Sequence, residues 1–69
     1  MIDLATTPLG TRVVVRYMLP DGMATDALGQ LTAIDASHCV VDTKRGLQRV
    51  PLAQVIAAKV VPPAPESRH

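Results

Sequence analysis

The sequence predicts an all-β domain: a small five-stranded barrel with a single helical turn before its last strand. Three observations lead there. Apolar residues alternate with polar ones at the period of a strand, and turn signals interrupt the chain at intervals of about 8 to 12 residues. Of the 69 residues, 48% are hydrophobic, yet there is no Trp, no Phe and one Tyr, so the core must be assembled from Val, Leu, Ile, Ala and Met. That composition folds; it is not that of a disordered chain. A chain of this length withdraws only about 60% of its unfolded surface from water, which leaves room for one economical core.

The first strand is "TRVVVRY", Thr11 to Tyr17. Val13, Val15 and Tyr17 fall on one face, and Arg12, Val14 and Arg16 on the other. "MLPDGM" then turns the chain, because Pro20 fixes φ and Gly22 tolerates positive φ. Through "ATDALGQLTAIDA" a short helix could be drawn over Ala24 to Leu28. Gly29 argues against it, since glycine costs a helix about 1 kcal/mol and suits a bulge or a bend. A long bent strand is expected instead, with a bulge or a sharp bend at Gly29.

"HCVVDTK" is short and β-branched, "KRG" reads as a three-residue turn with Gly46 at a left-handed position, and "LQRV" returns as the fourth strand. Pro51 ends that strand and leaves room for one helical turn before "VIAAKVV", Val55 to Val61. A lone turn between the last two strands is the connection typical of an SH3-like barrel. The expected organisation is an N-terminal arm over residues 1–8, a barrel over 9–61 and a proline-rich tail over 62–69.

The order of these elements carries a resemblance. "LGTRVVVRYMLPDGMATDALGQL" followed by "KRGLQRVPLAQVIAAKVVPP" resembles the SH3-like domain found at the N-terminus of a group of actinobacterial GNAT-type, histone acetyltransferase-like enzymes. The likeness runs from about Leu9 to Pro63, and its most specific stretches are "VVVRY.LPDG..TD.LG" and "V.AAKVVPP". In those relatives the barrel precedes a catalytic domain. The resemblance therefore implies that "PPAPESRH" begins a linker, stiffened by Pro62, Pro63 and Pro65 into an extended spacer. It also implies an accessory role, because the chain contains neither an acetyl-CoA pyrophosphate loop nor a catalytic residue of such an enzyme.

Read residue by residue, the sequence supplies no catalytic, cofactor-binding or metal-binding set. Cys39, Ser37, His38 and Asp35 lie close in sequence, but neighbours on a strand point to opposite faces, so His38 and Cys39 do not converge unless a bulge intervenes. His69 sits in the tail. Two distant His, one Cys and scattered Asp do not make a metal site, and the four glycines follow no phosphate-binding pattern. Cys39 has no disulfide partner, the N-terminus lacks the features of a signal peptide, and no apolar run is long enough to span a bilayer. These features place the chain in the cytoplasm, away from membranes.

Two binding surfaces remain. Met18, Leu19 and Met23 at the first hairpin tip, with Met1, Ile2 and Leu4 of the arm, would form an apolar interface if exposed together. Leu4 and Leu19 have an alternative use, as plugs for the barrel ends. The partner of such an interface is another protein, an adjacent acetyltransferase domain or a second copy of the chain. The alternative is a basic patch of Arg12, Arg16, Lys44, Arg45 and Arg49 that contacts nucleic acid. Against it, the net charge is only +1, and Tyr17 is the sole ring on which a base could stack. Charged residues also serve simply to keep strand edges from pairing.

Overall fold

A computed structural model of the chain describes residues 2–62. The expected tail lies, apart from Pro62, outside the described residues. Five antiparallel strands follow in order: β1 (Arg12–Met18), β2 (Ala24–Ile34), β3 (His38–Thr43), β4 (Gly46–Pro51) and β5 (Val55–Val60). Their order in the sheet is β4-β3-β2-β1-β5, so β1 lies inside the sheet and β4 and β5 are its two edges. A 3-10 turn, Leu52–Gln54, joins β4 to β5 where the helical turn was expected.

The sheet curls because its inward side chains need one another. Val13 and Val15 of β1, Ala27 and Leu31 of β2, Cys39 and Val41 of β3, Val50 of β4 and Ala58 of β5 form a single buried cluster. With strands spaced about 4.8 Å apart, a flat sheet would hold its edges too far apart for Val50 and Ala58 to share a core. Burying a side chain of Val or Leu size contributes about 1.5 to 3 kcal/mol, and small aliphatics fill the narrow interior without rings.

The first hairpin turns as its residues dictate. The Gly22 N–H donates to the Leu19 carbonyl at 2.9 Å, the Asp21 carboxylate accepts from the Met23 N–H at 2.8 Å, and Gly22 has φ +87°. The segment from Ala24 is strand, not helix, as expected. Its bulge, however, is not at Gly29. Register shifts between Leu31 and Ala33, leaving Thr32 as the extra residue, with its hydroxyl donating to the Val40 carbonyl at 3.2 Å. Gly29 serves close approach instead: a Cβ there would overlap the Asp42 carbonyl of β3. The second hairpin is tighter than expected, with Lys44 and Arg45 alone between paired Thr43 and Gly46, and Gly46 at φ +111°.

The N-terminal arm differs from the reading of it as interface. A 3-10 turn over Leu4–Thr6, capped by the Asp3 carboxylate on the Ala5 N–H, points Leu4 into the core, where it is 7% exposed. Ile2 packs against the same cluster, and its N–H donates to the Ala58 carbonyl of β5 at 2.9 Å. The arm is thus part of the fold, and Leu4 is the plug, not the contact.

Candidate binding surfaces

The strand register decides what faces outward. On β1, Arg12, Val14 and Arg16 alternate with buried Val13 and Val15. Across the β1–β2 ladder Val14 is opposite Leu28 and Arg16 opposite Asp26; across the β1–β5 ladder Val14 is opposite Lys59 and Arg16 opposite Ala57. Paired residues share a face, so Leu28, Val14 and Lys59 form one outward row and Asp26, Arg16 and Ala57 the next. The register shift leaves Ile56 of β5 unpaired, which restores Ala58 to the core side.

Four of the five expected basic residues come together. Arg12, Arg16, Lys44 and Arg45 line a groove of about 630 Å³ in which the second hairpin tip stands beside Leu28 and Tyr17. The Arg16 guanidinium pairs with the Asp26 carboxylate at 3.3 Å, both half-exposed, and Arg12 Nη1 donates to the Pro62 carbonyl at 2.8 Å. No other ion pair occurs among the described residues. A second, smaller groove of about 420 Å³ adjoins the first at Arg16 and Asp26 and is lined by Val14, Ala57 and Lys59.

Arg49 does not join this patch. It lies with Tyr17, Met18, Leu19, Pro20 and Pro51 in a separate groove of about 750 Å³, formed where the first hairpin tip meets the end of β4. Two of the three expected interface residues, Met18 and Leu19, are therefore side by side in a largely apolar groove. Met23 is 64% exposed and stands apart from that lining.

The remaining polar groups have structural work. Asp35 Oδ1 accepts from the backbone N–H groups of Ser37 at 2.8 Å and His38 at 2.7 Å, and these bonds hold its carboxyl below the usual carboxylate range. The Ser37 hydroxyl lies 3.1 Å from Asp35 Oδ1 and 2.9 Å from His38 Nδ1, so serine sits between the acid and the imidazole. A hydrolytic triad needs the imidazole in the middle. Cys39 is fully buried on the opposite side of β3, and desolvation pushes its thiol up, away from the reactive thiolate. Among the described residues there is no metal-binding group of three or more His, Cys, Asp or Glu, and no helix long and apolar enough to cross a membrane.

The sequence reading missed Val14, Leu28 and Lys59 as surface residues that belong together. Alternation alone placed Val14 outward beside Arg12 and Arg16. Its neighbours on β2 and β5 depend on register, which a single sequence shows only where a short hairpin fixes it.

Comparison with known proteins returns one family. Its model, described as the Rv0428c N-terminal Sm-like domain, matches residues 7–59. No curated protein and no solved structure matches the chain. The family description agrees with the resemblance in giving a small β-barrel domain, and it places that barrel in the Sm-like group. With all five strands inside the matched span, the chain belongs to the Rv0428c N-terminal Sm-like domain family.

Proposed function

We propose that the domain is a non-catalytic docking module that works with a GNAT-type acetyltransferase, either as its N-terminal domain or as a separate chain. The observation that carries this reading is the groove in which Met18, Leu19, Pro20 and Pro51 leave apolar surface open beside Arg49. A small domain gains nothing in stability from apolar side chains held at such a surface, and their adjacency beside a cation supports a contact with a partner there. The likeness of the sequence to the domain preceding acetyltransferases supports the choice of partner, and the "N-terminal" in the family's description is compatible with a barrel that precedes another domain. In this role the module positions or dimerises the catalytic domain and performs no chemistry of its own.

The test is a titration of the isotope-labelled chain with an acetyltransferase domain from the same genome, followed by amide chemical shifts. Perturbation at Met18, Leu19 and Pro51's neighbours, abolished by Leu19→Asp, is the expected result. Absence of any perturbation would retire the docking reading.

A second reading, a nucleic-acid-binding barrel, draws on the convergence of Arg12, Arg16, Lys44 and Arg45 on one groove. It is weakened by the position of the only ring, since Tyr17 is half-buried against the core and offers little face for stacking. Titration with short RNA and DNA at two salt concentrations separates the readings: tight binding with a steep salt slope favours nucleic acid.

A further inference from the structure

We propose that the outward face of β2-β1-β5 is a second docking surface, specific for an acidic protein segment that presents an aliphatic side chain between two carboxylates. The centre of the face is apolar: Val14 and Leu28 lie opposite each other, and Leu28 is 44% exposed. Neither belongs to the core cluster. Around this centre stand Arg12 and Arg16 on β1, Lys59 on β5, and Lys44 and Arg45 at the neighbouring hairpin tip. Five of the seven cations of the chain are on this one face.

Asp26 lines both grooves of this face and is already engaged by Arg16, and Asp42 lines an adjoining groove with Arg12, Leu28 and Lys44. Five cations against two carboxylates leave the face at +3, while the whole chain carries +1. The remainder of the molecule is correspondingly acidic. Charge is thus segregated, and the segregated charge surrounds an aliphatic spot.

Spacing narrows the partner. Arg12 and Arg16 flank Val14 at two residues on either side, so along β1 they are separated by about 13 Å. An extended chain laid over β1 meets both with carboxylates four residues apart, and the residue midway between them falls over Val14 and Leu28. An aliphatic side chain there packs on Val14 and Leu28, whereas the one aromatic side chain lining the groove, Tyr17, is half-buried against the core and offers a nucleobase little face. Phosphate alone would use the cations and leave Leu28 uncovered.

This surface is distinct from the Met18–Leu19 groove, and its test is independent of that reading. The probe is the peptide Gly-Glu-Ser-Leu-Ser-Glu-Gly, titrated into the labelled chain at 50 mM salt. Comparison peptides carry Gln for both Glu or Ser for Leu, and a seven-nucleotide single-stranded RNA serves as the nucleic-acid arm.

The expected result is amide shifts confined to β1, β2, β5 and the Lys44–Arg45 tip, with each comparison peptide at least fivefold weaker. Lys59→Glu weakens the probe at least fivefold, and Arg49→Glu, which makes the same charge change off the face, leaves it unaltered. Three results would overturn the proposal: no binding of the peptide, equal loss in Arg49→Glu and Lys59→Glu, or RNA binding the same amides more tightly than the peptide.

Discussion

Replacing Gly29 by Ala tests the packing of β2 on β3 by its sign. In a strand interior, glycine is worse than alanine by roughly 0.5 to 1 kcal/mol, so propensity alone makes Gly29→Ala stabilising. The structure requires the opposite. A Cβ at position 29 would occupy the space of the Asp42 carbonyl, which is backbone and has no rotamer to escape into. Relief requires β3 to withdraw, and the pairs Gly29–Thr43 and Gln30–Asp42 are the ones that open. Two to three ladder hydrogen bonds at about 1 kcal/mol each are lost. After the propensity gain is subtracted, the net cost is about 2 kcal/mol, against a total stability of roughly 3 to 10 kcal/mol for a chain of this length. Thermal unfolding followed by far-ultraviolet circular dichroism should show Tm lower by about 8 to 16 °C. Gly22→Ala supplies the comparison: its φ is positive but the space around it is open, so it loses only about 1 to 2 kcal/mol through backbone strain. A Gly29→Ala protein with a Tm equal to or above that of the parent would refute the close approach.

The other expectations concern the arm, the acid limb, the thiol and linkage. Leu4→Ala should cost about 2 kcal/mol or more in urea unfolding, because Leu4 fills the core; an unchanged midpoint would return it to the surface. Asp35 has a lowered pKa in the folded state, so its contribution is present above the unfolded value of about 3.9 and is lost as pH falls through the folded value. Asp35→Asn should therefore be less stable than the parent at neutral pH, with the difference closing below about pH 4; a difference that is constant with pH would show that the carboxylate charge is not involved. Cys39 should react with a thiol reagent only at the rate at which the domain opens, and immediate reaction in the native state would contradict its burial. A docked partner at a hundred times its Kd should stabilise the domain by about 2.7 kcal/mol, read as a rise in Tm that Leu19→Asp removes.

Much of the fold was legible because its signals are local. Alternation in "TRVVVRY" put Val13 and Val15 inside and Arg12 and Arg16 outside, and both hairpin turns are set by a glycine that takes positive φ, Gly22 and Gly46. The 3-10 turn after Pro51 followed from the proline and the short interval before Val55. What failed was non-local. Gly29 was noticed as special, but whether a strand glycine marks a bulge or a close neighbour depends on what lies across the ladder, and Asp42 is thirteen residues away. Leu4 has no strand periodicity around it, so nothing nearby distinguished a plug from an exposed contact. The basic patch was legible for the residues joined by the strand β1 and the second hairpin tip. It failed at Arg49, because β4 carries its outward residues around the curl of the sheet to the other groove.

The placement of the cations within the sheet bears on what they are for. Charged residues that guard against edge-to-edge pairing belong on edge strands, and this accounts for Arg49 on β4 and Lys59 on β5. It does not account for Arg12 and Arg16, because β1 is hydrogen-bonded on both sides and presents no open edge. Stability does not account for them either: the Arg16–Asp26 pair is half-exposed, and pairs of that kind contribute about 0 to 1 kcal/mol. Nor does the core need Val14 or Leu28, which point away from it. A central strand whose outward residues serve neither edge protection nor packing is free to be shaped by a partner. Cations at both ends of an aliphatic spot are the arrangement that recognises a carboxylate, an aliphatic side chain and a second carboxylate in succession.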